Sequence, residues 1–212
     1  MAILGNINRP AFYTIDEFPR FRELCDNWQI IKEEFLQINA PLMNVHRHAK
    51  KQEEVIKQVQ SELENGNTYG WVRGWGKEGI NDDWIQYAIF SNNSDVNKML
   101  EPFINRLIPR TLEMLKRING IKICAFVKLK THSMLPCHTH AGIYKESLLQ
   151  FHLPIITAPE RNYAYLNVMG EFRQHVEGEP IIFDGSLDHF AINESDVDRT
   201  IVYMEFKKEL TV

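Results

Sequence analysis

Apolar side chains return every three or four positions near the start of the chain. Phe18, Phe21, Leu24, Cys25, Trp28, Ile31 and Phe35 form one stripe, which predicts an amphipathic helix ending before Pro41. A mostly polar second helix is predicted from Val45 to Leu63, lying on the surface and closed by Gly66. A third helical region runs from Val96 to Ile118 and carries Leu100, Phe103, Leu107, Leu112 and Leu115 on its apolar side. Pro102 and Pro109 divide or kink it, and Asn119-Gly120 stops it. Between the second and third helices, residues 68–84 are aromatic and glycine-rich, which predicts short strands and turns forming one wall of a pocket.

After Gly120 the period changes from helical to alternating. IKICAFVKL, SLLQFHLPIIT, NYAYLNVM, EPIIFD, HFAI and RTIVYMEFKK are short β-branched and aromatic runs separated by turn residues. Many short strands after a run of helices predict an α+β chain that ends in a β-sandwich or jelly roll. No internal repeat, low-complexity segment or linker interrupts the sequence. The expectation is therefore a single domain over 1–212, with a helical part over about 1–118 and a jelly-roll core over about 119–209.

Composition changes this picture little. With 212 residues, 44% hydrophobic and 25% charged, the chain can bury a substantial core, which excludes collagen, coiled coil and wholesale disorder. A net charge of −4 gives no reason to expect a nucleic-acid partner. No apolar run approaches the roughly 18–20 residues of a membrane span, and MAILGNINRP lacks the basic and apolar regions of a secretory signal. Cys25, Cys124 and Cys137 are few, odd in number and unpatterned, and read as reduced thiols. The expectation is a soluble cytoplasmic protein with no membrane partner.

The candidate chemistry lies in LPCHTHAGIYKESLLQFHLPIIT and in GEPIIFDGSLDHFAINESDVDRTIVYMEF. His138 and His140 are two apart, so on an extended strand both imidazoles share one face and can reach one metal ion. Neutral imidazole suits Fe, Zn, Cu and Ni, and His189 is the distant partner for a facial site with open positions. Arg199, ten residues past His189, opens an apolar strand and offers a planar fork that suits a carboxylate. His152, on an intervening strand, is a second polar group for the same cavity. Each of these residues also has an ordinary reading: loop histidines, a structural His189, a surface-paired Arg199. His46-Arg47-His48 has the same spacing in a helical context, where the side chains diverge, and is assigned to solvent. His132 and His175 receive no site role. Trp71, Trp75 and Trp84 read as core before they read as a substrate cage.

The combination of residues carries a resemblance. PRTLEMLKRINGIKICAFVKL, LPCH, the strand ending FHLPI, GEFRQHVEGEPIIFDGSLDHFAIN and DVDRTIVYMEF follow one another in the order seen in the aspartyl/asparaginyl β-hydroxylase family of Fe(II)- and 2-oxoglutarate-dependent oxygenases. DNWQIIKEEFLQI resembles the helix that opens many members. The most specific stretch runs from Gly178 through Phe183-Asp184, His189 and Asn193 to Arg199. The resemblance implies a double-stranded β-helix, a cupin-like jelly roll. It implies His138 and His189 as iron ligands, His152 at the C1 carboxylate end of 2-oxoglutarate, and Arg199 at the C5 carboxylate. It further implies hydroxylation of an Asp, Asn or other side chain in a peptide, or of an amino-acid-like small molecule, coupled to oxidative decarboxylation of 2-oxoglutarate.

Three positions depart from the family pattern. His140 stands where many members have Asp and some have Gly, which leaves three roles open: a third nitrogen ligand, an outer hydrogen-bond donor, or a ring turned away. Gln150 replaces the arginine found two residues before His152 in animal-type members, so cosubstrate binding there is weaker or assisted by Lys145 or Lys128. Val127 replaces a serine that assists the distal carboxylate. The segment AGIYKES after His140 and the stretch from Tyr69 to Trp75 are candidate substrate walls, with Lys145 and Arg73 as charges for a carboxylated substrate. Two rival readings remain. One is a metal enzyme built on His138, His140 and His189 that does not use 2-oxoglutarate. The other is a jelly-roll binding module without turnover.

Overall fold

The computed structural model describes residues 9–45, 47, 50–74 and 81–210. His46, His48 and Trp75 lie outside the described residues.

The chain opens with a short strand β1 (Phe12–Tyr13), two 3-10 turns, and two helices, α1 (Arg22–Asp26) and α2 (Trp28–Phe35). The single stripe predicted over Phe18–Phe35 is therefore broken, with Asn27 between the two helices. Leu24, Ile31 and Phe35 are buried, so the apolar period holds although the helix does not. α3 (Gln52–Glu64) starts later than predicted and buries only Val55 and Val59. Next come β2 (Val72–Gly74) and β3 (Asn81–Ser91), then α4 (Ser94–Ile104) and α5 (Pro109–Arg117). Pro109 sits at the start of α5, where its missing N–H costs nothing. Pro102 lies inside α4. Glu34 of α2 accepts from the backbone N–H of Arg110 and of Thr111, each at 2.9 Å, and so caps α5.

The remaining elements are β4 (Ile121–Leu129), β5 (Ser133–His138), α6 (Ala141–Lys145), β6 (Leu148–Ile156), β7 (Ala164–Val168), β8 (Glu171–Gln174), β9 (Ile181–Phe183), β10 (His189–Asn193) and β11 (Arg199–Lys207). They build two sheets whose neighbouring strands are all antiparallel. The larger has the order β1-β9-β6-β11-β4-β3-β2 and the smaller β5-β10-β7-β8. This is an α+β chain with a cupin-like double-stranded β-helix. The larger sheet takes β1, β2 and β3 from the first 118 residues; β2 and the start of β3 fall in the 68–84 stretch expected to form short strands, and β1 does not. The length of β3 was not expected: it runs on past residue 84 to Ser91, and it opens on Asn-Asp-Asp and carries polar Gln86 among its apolar residues.

Period two then decides which side chains meet. On β11, Val202, Met204 and Phe206 join Phe151, Leu153, Phe126 and the helices in the main core. The alternate residues Arg199, Ile201, Tyr203 and Glu205 face the other way, with Ile201 packed on Ala125 and Val127 beside Trp84 and Tyr203. A smaller cluster of Leu129, Leu166, Val168, Phe183 and Leu187 joins the two sheets. β6 is buried on both faces and so reads as a continuous apolar run rather than an alternating one.

Candidate functional site

β5 and β10 are antiparallel neighbours, and His138 and His189 are directly opposed in their register. The cross-strand pair puts both imidazoles on one face, with ring centroids 4.2 Å apart. His140 lies beyond the end of β5 in extended backbone, at the N-terminal boundary of α6, and its ring stacks on that of His189 at 5.3 Å. One nitrogen from each of the three rings can be chosen so that all lie within 4.8 Å of one another. Such a set can hold a metal ion.

Two of the rings are fixed for that task. Nδ1 of His138 lies 2.7 Å from the carbonyl of Pro136, and Nδ1 of His189 lies 2.7 Å from the carbonyl of Leu187. A carbonyl can only accept, so each Nδ1 carries the hydrogen and each Nε2 presents its lone pair. His140 has no such hydrogen bond among the described residues, but its backbone N–H donates to the carbonyl of Gly185 at 2.9 Å. Asp184 holds that turn, accepting from Ser186 and pairing with Arg9 at 2.9 Å. One loop thus positions both His140 and His189.

Burial keeps all three rings neutral, the form that ligates metal. It draws His140 down to about 3, helped by His189 and His138, and draws His189 down to about 4, helped by His138. His138 is lowered for the same principal reason.

The pocket-facing side of β6 and β11 continues the site. His152 pairs with Tyr203 across the strands, and Gln150 pairs with Glu205. Gln150 Nε2 donates to the Tyr203 hydroxyl at 2.7 Å, and that hydroxyl donates to Glu205 at 2.8 Å. Burial raises Glu205 and holds Tyr203 protonated. Gln150 therefore has one amide hydrogen already engaged. Gly185 packs against its side chain so closely that any Cβ would overlap it.

Arg199 is 3% exposed, and its Nε and Nη1 have no hydrogen-bond partner. Burial lowers it to about 9, so it remains a cation at neutral pH. Asn193 Nδ2 reaches the carbonyls of Leu129, Lys130 and Val197, which fastens the turn between β10 and β11 and hence the spacing from His189 to Arg199.

Several sequence expectations change. His175, given no role, is fully buried and stacked on His152, with Nε2 3.3 Å from His152 Nδ1. Arg47, assigned to solvent, is 6% exposed, donates to Gln52 at 2.9 Å and lies in the electrostatic reach of Tyr203. Lys128 does not reach the pocket. It projects from the helix-facing side of β4, with its ammonium 4.6 Å from the Trp71 ring. Tyr69 and Trp71 belong to the main core and pack on Tyr87, as the core reading of Trp71 expected and as the substrate-wall reading did not. Arg73 is paired with Asp82 at 2.5 Å. Lys145 is exposed at the end of α6. Trp84 packs on the inner clusters beneath the site. His132 is exposed beside Glu194 and Asp196. Period two from Arg199 was the signal that could have found Tyr203.

α2 braces the loop that carries His175. Lys32 pairs with Glu177 at 2.7 Å, and Glu177 accepts from Thr157 N–H at 3.0 Å. Gly178 has φ +80, and a Cβ there would meet Trp28 Nε1 at 2.5 Å, so only glycine fits between turn and ring.

No helix among the described residues is long and apolar enough to cross a membrane. A curated relative, an ornithine lipid ester-linked acyl 2-hydroxylase from Rhizobium tropici, is 28% identical over 102 residues, covering 48% of this chain and 35% of that protein. The match thus spans about a third of the relative's length. Among solved structures, a 2OG-Fe(II) oxygenase-family oxidoreductase from Burkholderia pseudomallei aligns at TM-score 0.40 and 11% identity, over 76% of this chain and 94% of that one. A predicted oxalate decarboxylase from Thermotoga maritima aligns at TM-score 0.38 and 13% identity, over 58% and 80%. The sequence profile of the aspartyl/asparaginyl beta-hydroxylases matches residues 25–209, which takes in the bracing helix, every strand but β1, and the three histidines with His152, His175 and Arg199; the chain belongs to that family of hydroxylases.

Proposed function

We propose that this hydroxylase is a single-domain Fe(II)- and 2-oxoglutarate-dependent dioxygenase acting on an amino-acid-like small molecule or on an Asp, Asn or other side chain of a peptide. The observation that carries the reading is the pairing of two features around His152, which lies in the electrostatic reach of both. One is the imidazole cluster of His138, His189 and His140, with two Nε2 lone pairs set by backbone carbonyls. The other is Arg199, a desolvated cation with unsatisfied N–H groups. The donor set fits iron: neutral nitrogen ligands on one side, with no cysteine among them. The orphaned guanidinium fits a carboxylate, since a buried cation is costly until an anion joins it.

His138 and His189 hold the metal, and His140 is a third nitrogen donor placed to join them. An iron(II) ion there supplies activation of O2, which couples decarboxylation of 2-oxoglutarate to succinate and CO2 with hydroxylation of a C–H bond. Arg199 binds the distal carboxylate and sets how far the cosubstrate reaches. His152 and Gln150 line the wall toward the metal end, and the Gln150–Tyr203–Glu205 chain keeps that wall rigid. The apolar side chains of Ile201, Val127 and Phe183 exclude water, which strengthens each polar contact inside.

The test is succinate formation from 2-oxoglutarate under O2 with added Fe(II). Wild type is expected to release succinate even without substrate, and His189→Ala to release none. Equal release from both proteins would overturn the reading.

A second reading rests on the make-up of the cluster, which among the described residues holds three histidines and no carboxylate. A three-histidine site serves a metal enzyme that does not use 2-oxoglutarate. In that case Arg199→Ala would leave turnover intact.

A further inference from the structure

We infer that His175 and Arg199 together form the seat of the cosubstrate's distal carboxylate, with His175 Nδ1 binding one oxygen and the Arg199 guanidinium the other. The inference rests on the dioxygenase reading above and adds a binding residue to it.

Buried polar atoms are nearly always satisfied, so clustered exceptions point to a missing partner. Three occur in these two side chains: Nδ1 of His175 and Nε and Nη1 of Arg199. Both residues are inaccessible to solvent, at 0% and 3% exposure. They are near enough for the charge of Arg199 to weigh on the protonation of His175. The other ring nitrogen is already spoken for, since Nε2 of His175 lies 3.3 Å from Nδ1 of His152. The backbone of His175 is also tied down. Its N–H donates to the carbonyl of Ala164 at 2.8 Å, and its carbonyl accepts from Asn162 Nδ2 at 2.6 Å. The ring itself is fully buried and stacked on His152, which leaves it little room to turn Nδ1 elsewhere.

A carboxylate supplies what is missing. Its two oxygens offer about four acceptor sites, enough for a guanidinium edge and an imidazole N–H at once. Its negative charge favours the forms of the His175 ring that carry hydrogen on Nδ1. His175 and His152 then make a continuous hydrogen-bonded path from the distal carboxylate toward the metal cluster, and binding at one end holds the ring at the other.

The test compares two ligands on the Fe(II)-loaded full chain without oxygen: 2-oxoglutarate and 2-oxopentanoate, which is the same length but lacks the distal carboxylate. Titration gives a dissociation constant for each. Wild type is expected to prefer 2-oxoglutarate by about a hundredfold or more, from two or more hydrogen bonds to a charged group. His175→Leu, which fills the space and removes the donor, is expected to cut that preference about tenfold. His175→Gln, whose amide can donate, is expected to keep most of it. A merely structural role would lower both affinities or the melting temperature and leave their ratio alone. An unchanged ratio in His175→Leu therefore overturns the role of His175 while leaving the dioxygenase reading intact. No preference in wild type overturns that reading itself, and this inference with it. If His175→Leu does not fold, His175→Ala carries the same ratio test.

Discussion

The two faces of β6 and β11 obey opposite rules. On the helix side, Phe151, Leu153, Val202, Met204 and Phe206 are buried among other apolar groups, as strands packed under helices should be. On the other side, one residue along, the same strands bury Gln150, His152 and Arg199 and half-bury Tyr203. The backbone and register are shared; only the direction of the side chains differs. Burial on the first face stabilises the fold. Burial on the second desolvates an arginine and neutralises histidines, which a chain selected only for stability has no reason to do. The difference separates the residues that build the barrel from those that use it.

The sharpest break of that comparison is at the metal cluster. His138→Ala and His189→Ala are each expected to cut iron affinity and hydroxylation by more than about a hundredfold, exceeding the loss typical of an outer hydrogen-bond partner. Folding should be little changed. Metal-binding titration and far-UV circular dichroism check both halves. On the helix side the expectation is inverted. Phe151→Ala should cost about 3–5 kcal/mol of stability, read by denaturant unfolding, because it opens a cavity in the main core.

Arg199→Met tests the other face directly. Removing a buried, partnerless cation should leave the melting temperature of the apoprotein unchanged or raised, while 2-oxoglutarate binding falls about a hundredfold. A large loss of stability would show that Arg199 is structural. Gly178→Ala should cost about 1–2 kcal/mol from the left-handed backbone alone, with further loss from contact with Trp28. The smallest effect concerns pH. His140 and His189 take up protons only near about 3 and about 4 in the folded chain, against 6.5 when unconstrained. Between those limits the unfolded state binds more protons. Apoprotein stability should therefore rise as pH increases toward 6.5 and gain nothing further from these groups above it. Melting temperatures at several pH values check this, and His140→Phe should flatten the slope.

Much of this was legible in the sequence, for identifiable reasons. β4 was read to its boundaries because its β-branched and aromatic run is bounded by Gly120 and a turn. His138, His189, Arg199 and His152 were singled out by spacing and by resemblance, and the structure brings them into one region. Lys128 was misplaced although alternation contained the answer: if Val127 faces the pocket, its neighbour must face the helices. His175 was missed because it follows β8 in a loop, where no period tells which way a side chain points. The burial of Arg47 was missed because it depends on how the chain folds back to bring it within the electrostatic reach of Tyr203, which local pattern does not encode. Gly178 stood out as part of a motif, but its reason, the ring of Trp28 from far along the chain, appears only in three dimensions.

The central claim is that one pocket joins an iron-binding histidine cluster to a carboxylate seat. The most direct measurement is the visible charge-transfer band on adding Fe(II) and then 2-oxoglutarate to the apoprotein without oxygen. The account predicts a band in wild type that is lost in both His189→Ala and Arg199→Ala. Iron that binds without any band when 2-oxoglutarate is added would contradict it.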